Sequence, residues 1–306
     1  MSYGKLISQL RYDKNLSIKD LCANQLSRSA YFRFTKGETQ TSVETFFSMI
    51  KTLHISPAEF DYIYNGYAPP LYEKLHTCIM QCYKSKDTTG INLIIGKCDC
   101  LSQQANDCYH HAGLLARFFL SKLNNMPVDI NISKEFQSYL THVNTWHLYE
   151  LQLFNYTIPL YSYDFIKSSL SRVIKNSKKY DSFPQTRRIS FLILTNIFKL
   201  HLEHFDLKQA SLVIDSQAGL PRQEHDLFEQ LHIKLNHGLL LLAKKKVSEA
   251  NSLIMQVLSV SRLLNQSSLL ELAINGYRDI CRLYDIEPQI SLQQLIKSSM
   301  RFDNHV

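Results

Sequence analysis

The sequence predicts an all-α protein in two parts, a small head of short helices followed by a long array of paired helices. Three observations carry this. Only nine glycines and eight prolines punctuate 306 residues, so few positions break a helix. Apolar residues recur at 3–4 spacing, the period of one helix face. The pattern changes at one clear break, Asn65-Gly66-Tyr67-Ala68-Pro69-Pro70, where Asn-Gly favours a turn and Pro-Pro bars a helix from continuing. Residues 1–66 are therefore predicted as the head, 67–70 as a linker and 71–306 as the array.

In the head, Leu6, Ile7 and Leu10 mark the face of a first helix, which Asn15 ends. Ser17 caps a second, through Ile18, Leu21 and Cys22, with Asp20 at the third position of a capping box. Ser27 caps a third, carrying Tyr31 and Phe34, which stops at Gly37, a residue suited to the left-handed conformation past a helix end. Ser42 opens a fourth, with Val43, Phe46, Phe47, Ile50 and Leu53 at 3–4 spacing. Pro57 stands in the first turn of a fifth, ahead of Phe60 and Ile63.

Beyond the break, twelve amphipathic segments follow: Leu71 to Ser85, Thr89 to Gln103, Asn106 to Asn124, Ser133 to Leu140, Trp146 to Tyr156 and Tyr161 to Lys178, then Pro184 to His204, Leu207 to Ala218, Arg222 to Ala243, Val247 to Leu264, Ser267 to Tyr284 and Ser291 to Met300. Connections of a few residues force neighbours to pack antiparallel. Pairs that cannot bury their apolar faces alone stack into a solenoid. No strict 34-residue consensus is present, but Asp206-Leu207-Lys208-Gln209-Ala210 echoes Lys246-Val247-Ser248-Glu249-Ala250 at a distance of 40 residues. Each is a polar turn leading into a helix with a small Ala near its start, so the array is predicted to be tetratricopeptide-like.

The stretch from Leu16 to Gly37 has the spacing of a helix, a tight turn and a second helix, a geometry that presents one helix N-terminus to the DNA major groove. Leu16, Leu21, Leu26, Tyr31 and Phe34 are the expected internal contacts, leaving Ser27, Arg28, Ser29, Phe32 and Arg33 outside. Arg28 and Arg33 can each pair with a guanine, and Phe32 can touch a thymine methyl. Ser17, Lys19 and Lys36 are placed to hold phosphates, which position the domain without reading sequence. The competing reading is an ordinary helical hairpin with incidental arginines.

Residues 4 to 64 resemble the head of the Rgg/GadR/MutR regulators of Gram-positive bacteria. The resemblance rests on Gly4-Lys5-Leu6, Leu26-Ser27-Arg28-Ser29, the Arg33-Phe34-Thr35-Lys36-Gly37 end of the third helix and Ser56-Pro57-Ala58-Glu59-Phe60. It continues through Trp146 to Asn155, Asp206 to Ala210 and Asp226 to Glu229, and so spans most of the chain. It implies a lambda-repressor-like helix-turn-helix head on a promoter, a homodimer, and a helical-repeat domain that binds a short signalling peptide in quorum sensing. Where such heads carry an acidic residue able to pair with an arginine at position 11, this chain has Thr35; Arg11 is nonetheless counted among the DNA-contacting candidates. Ala30 and Phe32 stand where polar side chains are common, which implies a different operator preference.

For the array, Tyr149, Phe154, Asn155, Tyr156, Asn196, Asn236 and Tyr277 are candidates to line a concave groove. Asn amides offer both donor and acceptor to an extended peptide, and Arg187 and Arg188 can hold its carboxylate. The alternative is that the aromatics are core and the asparagines solvated.

Other classes are weaker. Net charge is +7, from 34 Lys and Arg against 27 Asp and Glu, which permits DNA binding without proving it. The opening residues read as a helix rather than a signal peptide, and no apolar run approaches the roughly 20 residues of a membrane span, so a cytoplasmic protein without a membrane partner is expected. Cys78, Cys82, Cys98, Cys100 and Cys108 fall within 31 residues, followed by His110 and His111. A metal- or thiol-sensing regulator is thus a second reading and a constitutive protein-binding scaffold a third, but paired C-x-x-C spacing is absent and small buried hydrophobes are the plainer account of these cysteines. No phosphate loop, H-E-x-x-H or G-x-S-x-G motif occurs, so no enzyme, cofactor or metal is expected. His201 and His204 read as structural, and the run Lys244-Lys245-Lys246 as complementing a helix dipole.

Overall fold

A computed structural model of the chain describes residues 2–22, 25–104, 107–180, 183–220 and 226–288. The fold is all-α, with no strand among the described residues. The head comprises α1 (Tyr3–Asp13), α2 (Ile18–Cys22), α3 (Arg28–Lys36), α4 (Val43–Thr52) and α5 (Pro57–Tyr64). Its starts are set by hydroxyls. Ser27 accepts from the Ala30 N–H at 3.2 Å, Ser42 from Thr45 at 3.2 Å and Ser56 from Glu59 at 3.1 Å, each satisfying one of the donors a helix start leaves unpaired. Leu6, Ile7, Leu10, Leu21, Tyr31, Phe34, Met49, Ile50, Leu53 and Phe60 close into one core. This is the lambda-repressor-like arrangement, with α2 and α3 as the helix-turn-helix.

The array comprises α6 (Leu71–Lys84), α7 (Thr88–Leu101), α8 (Cys108–Leu123), α9 (Ile130–His142), α10 (Leu148–Thr157), α11 (Tyr163–Lys179), α12 (Pro184–Glu203), α13 (Leu207–Ala218), α14 (Leu227–Ala243), α15 (Val247–Leu263) and α16 (Ser267–Leu283). By its internal packing the chain divides into Met1–Val128 and Asp129–Val306. In the first unit α7 and α8 form the closest pair; in the second, α14 packs on α15, α12 on α13 and α15 on α16, the hairpins of a tetratricopeptide-like solenoid.

The hairpins turn tightly because each first helix ends on one left-handed residue. Phe205, Lys245 and Asn265 have φ of 59°, 60° and 51°. The next residue's N–H then bonds back to a carbonyl of the last turn: Asp206 to His201 at 2.9 Å, Lys246 to Leu241 at 2.9 Å and Gln266 to Ser261 at 2.8 Å. This Schellman arrangement satisfies otherwise orphaned carbonyls and lets the second helix begin at once. The strain of a left-handed non-glycine residue, about 1–2 kcal/mol, is offset by those bonds. The 40-residue echo is therefore a repeated turn, and Ala210 and Ala250 are both fully buried just inside the helices that follow.

Several starts differ from expectation: α7, α8 and α11 begin at Thr88, Cys108 and Tyr163 rather than Thr89, Asn106 and Tyr161, and two others have a clear cause. α9 begins at Ile130 rather than Ser133, because Asp129 already caps it by accepting from the Asn131 N–H at 2.9 Å. Trp146 precedes α10 instead of opening it. Its fully buried indole donates Nε1–H to the Leu140 carbonyl at 2.9 Å and so closes the end of α9, while Arg172 lies over the ring at 5.1 Å and bonds the same carbonyl at 3.0 Å. The expected start at Arg222 and the last expected helix, Ser291 to Met300, lie outside the described residues.

Candidate DNA-reading surface and ligand groove

In the head, α3 turns Tyr31 (1% exposed) and Phe34 inward and leaves Arg28, Ser29, Phe32 and Arg33 exposed. The two faces follow from helical spacing alone. The Arg28 guanidinium lies 5.9 Å from the centre of the Phe32 ring, which is 43% exposed, so the aromatic and the charge form one patch. Ser27 and Lys19 are exposed beside it, and a cleft of about 570 Å³ between α2 and α3 is lined by Ser17, Lys19, Ser27 and Arg28. Lys36 is exposed at the far end of α3, 4.0 Å from Glu38.

Two expected contacts are engaged within the head. Arg11 is half-buried; its Nε donates to the Tyr31 hydroxyl at 3.2 Å and Nη1 to the Leu16 carbonyl at 2.6 Å, tying α1 to α3 and to the turn that leads into α2. An acidic partner at position 35 is thus replaced by a phenol and a carbonyl, while Thr35 donates its hydroxyl to Phe32 O at 3.1 Å. Ser17 accepts from the Asp20 N–H at 3.1 Å and donates to the Asp20 carboxylate at 2.6 Å. Arg11 and Ser17 hold the motif together, and the outward set is Lys19, Ser27, Arg28, Ser29, Phe32, Arg33 and Lys36.

In the second unit, α12, α14 and α16 enclose a groove of about 700 Å³. Its floor is apolar, from Phe198, Leu202, Leu235 and Leu239, and Asn196, Asn236 and Asn275 stand along it. The asparagines are held from behind. Asn196 donates Nδ2–H to Asn155 Oδ1 at 3.0 Å; Asn236 donates to Gln217 Oε1 at 3.0 Å, and Gln217, fully buried, donates in turn to Thr195 Oγ1 at 2.8 Å. Each of these amides spends one N–H on the protein; Asn196 is exposed, whereas Asn236 is buried with 4% of its surface exposed.

Of the expected groove residues, Asn196 and Asn236 line it and Asn155 braces it. Tyr277 does not belong to the lining: it is 1% exposed, a core residue of α16 whose hydroxyl bonds the Cys281 sulfur. Phe154 is likewise core, stacked on Tyr161 at 5.9 Å. Arg187 forms an ion pair with Asp226 at 3.0 Å, which commits its guanidinium to joining α12 and α14. Arg188 is exposed at the start of α12; Tyr149 and Tyr156 are half-buried on α10, Tyr149 edge-on to Tyr139 at 6.3 Å, and none of the three lines the groove. Lys199, Asn275, Gly276 and Asp279 were not anticipated. A signal for them exists in the sequence, because extending the 40-residue period gives Thr195, Leu235 and Asn275, then Asn196, Asn236 and Gly276, then Lys199, Leu239 and Asp279, and all nine line the groove.

Of the five clustered cysteines, expected to be small buried hydrophobes, only Cys98 is buried; Cys82 and Cys108 are half-buried, and Cys78 and Cys100 are exposed. Cys98 is buried, and desolvation with Asp99 beside it pushes its thiol up to about 11. Burial also raises Cys82 and Cys108, each next to an aspartate that adds to the effect. These shifts disfavour thiolate, the reactive and metal-binding form. Among the described residues no group of three His, Cys, Asp or Glu side chains is disposed to hold a metal. His201 is fully buried against the Tyr163 hydroxyl at 2.8 Å, and His204 stacks on the same ring at 4.0 Å. No helix among the described residues is long and apolar enough to cross a membrane.

Known structures share the fold. A Listeria monocytogenes EGD-e protein described as a transcriptional regulator superposes with a TM-score of 0.82 at 16% identity, covering 93% of this chain and 99% of that one. The SHP pheromone receptor Rgg2 of Streptococcus dysgalactiae gives 0.73 at 18% identity over 90% and 99%, and PrgX in its complex with iCF10 gives 0.73 at 12% identity over 99% and 97%. Residues 101–273, more than half of the chain, match the model of the C-terminal domain of the HTH-type transcriptional regulator Rgg. The chain belongs to the Rgg family of helix-turn-helix transcriptional regulators.

Proposed function

We propose that this protein is a peptide-responsive regulator: residues 1–66 read a promoter as double-stranded DNA, residues 67–70 link, and residues 71–306 bind a short signalling peptide and form a homodimer in the cytoplasm. The groove of α12, α14 and α16 is the observation that carries the reading. An apolar floor with braced asparagine amides suits an extended peptide, whose side chains seek the floor and whose N–H groups need acceptors. Rgg2 and PrgX, which share the fold, are respectively called a pheromone receptor and described in complex with iCF10. The peptide acts through its difference in affinity for the two placements of a pair of heads. No catalytic step is assigned to the chain.

Genome-wide DNA occupancy in the native host, with and without culture supernatant, tests both halves. Discrete promoter sites whose occupancy or transcription changes with supernatant are expected; absence of discrete sites rejects the DNA reading, and sites indifferent to supernatant reject the peptide reading. Replacing Cys78, Cys82, Cys100 and Cys108 by Ser and Cys98 by Ala is expected to leave that response intact. A response lost in this variant, with the melting temperature unchanged, would restore thiol sensing.

A further inference from the structure

Resting on the peptide reading, we infer that Arg278 is a specificity-determining residue that receives a carboxylate of the ligand near the closed end of the groove. A short peptide brings charged termini with it, and a charge drawn out of water needs a partner. The charges of the groove show where one partner waits.

Lys199, Arg278, Arg282, Glu203, Glu271 and Asp279 all line the groove, but they are unevenly matched. Lys199 lies 3.9 Å from Glu203, and Arg282 lies 3.2 Å from Asp279. Arg278 and Glu271, both exposed on α16, form no ion pair among the described residues. They share one face of the helix two turns apart, about 10 Å by rise, and so cannot pair as i,i+4 neighbours do. The helix dipole accounts for Arg282, which stands in the last turn of α16. Arg278, a turn earlier, lies beyond the reach of that effect.

The groove also has a closed end. Tyr284, just past α16, donates its hydroxyl to the Leu202 carbonyl at 2.8 Å and packs on Phe205 at 5.1 Å. Solenoid repeats ordinarily touch only their neighbours, yet this contact joins the end of α16 directly to the end of α12, and the lining stops there at Leu202, Glu203 and Leu283. A peptide entering past Ser268 and Glu271 must end near Arg278. In that direction its carboxyl group meets the unpaired guanidinium, which offers two parallel donors to a carboxylate. In the reverse direction a carboxylate would face Glu271 and an ammonium would face Arg278, so like charges disfavour it.

The test incubates the immobilised full-length protein with a pooled library of synthetic octapeptides, made once as free acids and once as C-terminal amides, and identifies those retained by mass spectrometry. If the terminus supplies the carboxylate, wild type retains free acids over their amides by about tenfold or more, the worth of hydrogen bonds to a charged group. If a side chain supplies it, both libraries are enriched in Asp or Glu at one position. Arg278→Gln should abolish whichever preference wild type shows, and Arg278→Glu should turn it towards amides or towards Lys and Arg at that position. Arg278 is exposed, so both variants should melt with wild type. Arg188→Gln, exposed but outside the groove, should change nothing. Arg278→Gln, or Arg278→Glu should the first not fold, that keeps the wild-type preference overturns the inference and leaves the peptide reading standing, as does wild type retaining peptides without regard to carboxylates. Failure of wild type to retain any peptide overturns both.

Discussion

Arg33→Ala is expected to remove sequence-specific DNA binding while leaving the protein folded. Arg33 is exposed on the outer face of α3, opposite Tyr31 and Phe34, so its truncation leaves the head's core untouched. A guanidinium paired to a guanine is worth about 1–3 kcal/mol of discrimination, which is roughly a fivefold to more than hundredfold loss at the operator; Arg28→Ala should add a loss of similar size and also free the Phe32 ring from its cation. Lys36→Ala should behave differently. A phosphate contact carries no sequence information, so that variant is expected to weaken all DNA about equally and to reduce the salt dependence by about one counterion. Titration of fluorescent duplexes carrying an occupied site and a scrambled control, at two salt concentrations, separates the two behaviours. Unchanged affinity of Arg33→Ala for the occupied site would move the reading surface elsewhere.

The elements of the fold were largely legible because their signals are local. Hydroxyls at Ser27, Ser42 and Ser56, a Pro at 57 and a Gly at 37 are read within one helical turn, and each does in the structure what its position implies. The exposed set on α3 follows from the same short-range periodicity. Arg11, counted among the DNA-contacting candidates, instead meets a phenol 20 residues away and a backbone carbonyl, and the pairing with Tyr31 across the head has no local pattern to announce it. The groove is a non-local object, and single residues signal it poorly. An aromatic such as Tyr277 has the same helical spacing whether it faces the core or the ligand, and only the stacking of α12, α14 and α16 decides which. The 40-residue period was the one long-range signal available, and it was visible at the turns, where Asp206 and Lys246 repeat, more clearly than on the groove faces, where Asn196, Asn236 and Gly276 differ in chemistry.

Gly4→Ala is expected to do through one methyl group what no surface arginine can do, which is to unfold the head. A Cβ at position 4 would lie 2.2 Å from the Phe34 carbonyl oxygen, 2.8 Å from its carbon and 2.9 Å from Thr35 Cα. All three are backbone atoms of α3, so no side chain can rotate away, and α1 must move off α3 as a body. Alanine's helix preference opposes this by at most about 1 kcal/mol, and less at the second residue of α1. Overpacking typically costs 1–3 kcal/mol where side chains can adjust; here about 3 kcal/mol or more is expected, comparable with the whole stability of a head of about 65 residues. Displacing α1 also withdraws Leu6, Ile7 and Leu10 from the core and breaks the Arg11 bonds to Tyr31 and Leu16. Specific and non-specific DNA binding should then fail together, unlike in Arg33→Ala, and hydrogen exchange should accelerate across α1 to α5 while α12 to α16 keep their protection. A Gly4→Ala head that melts with wild type would show that α1 and α3 do not approach so closely.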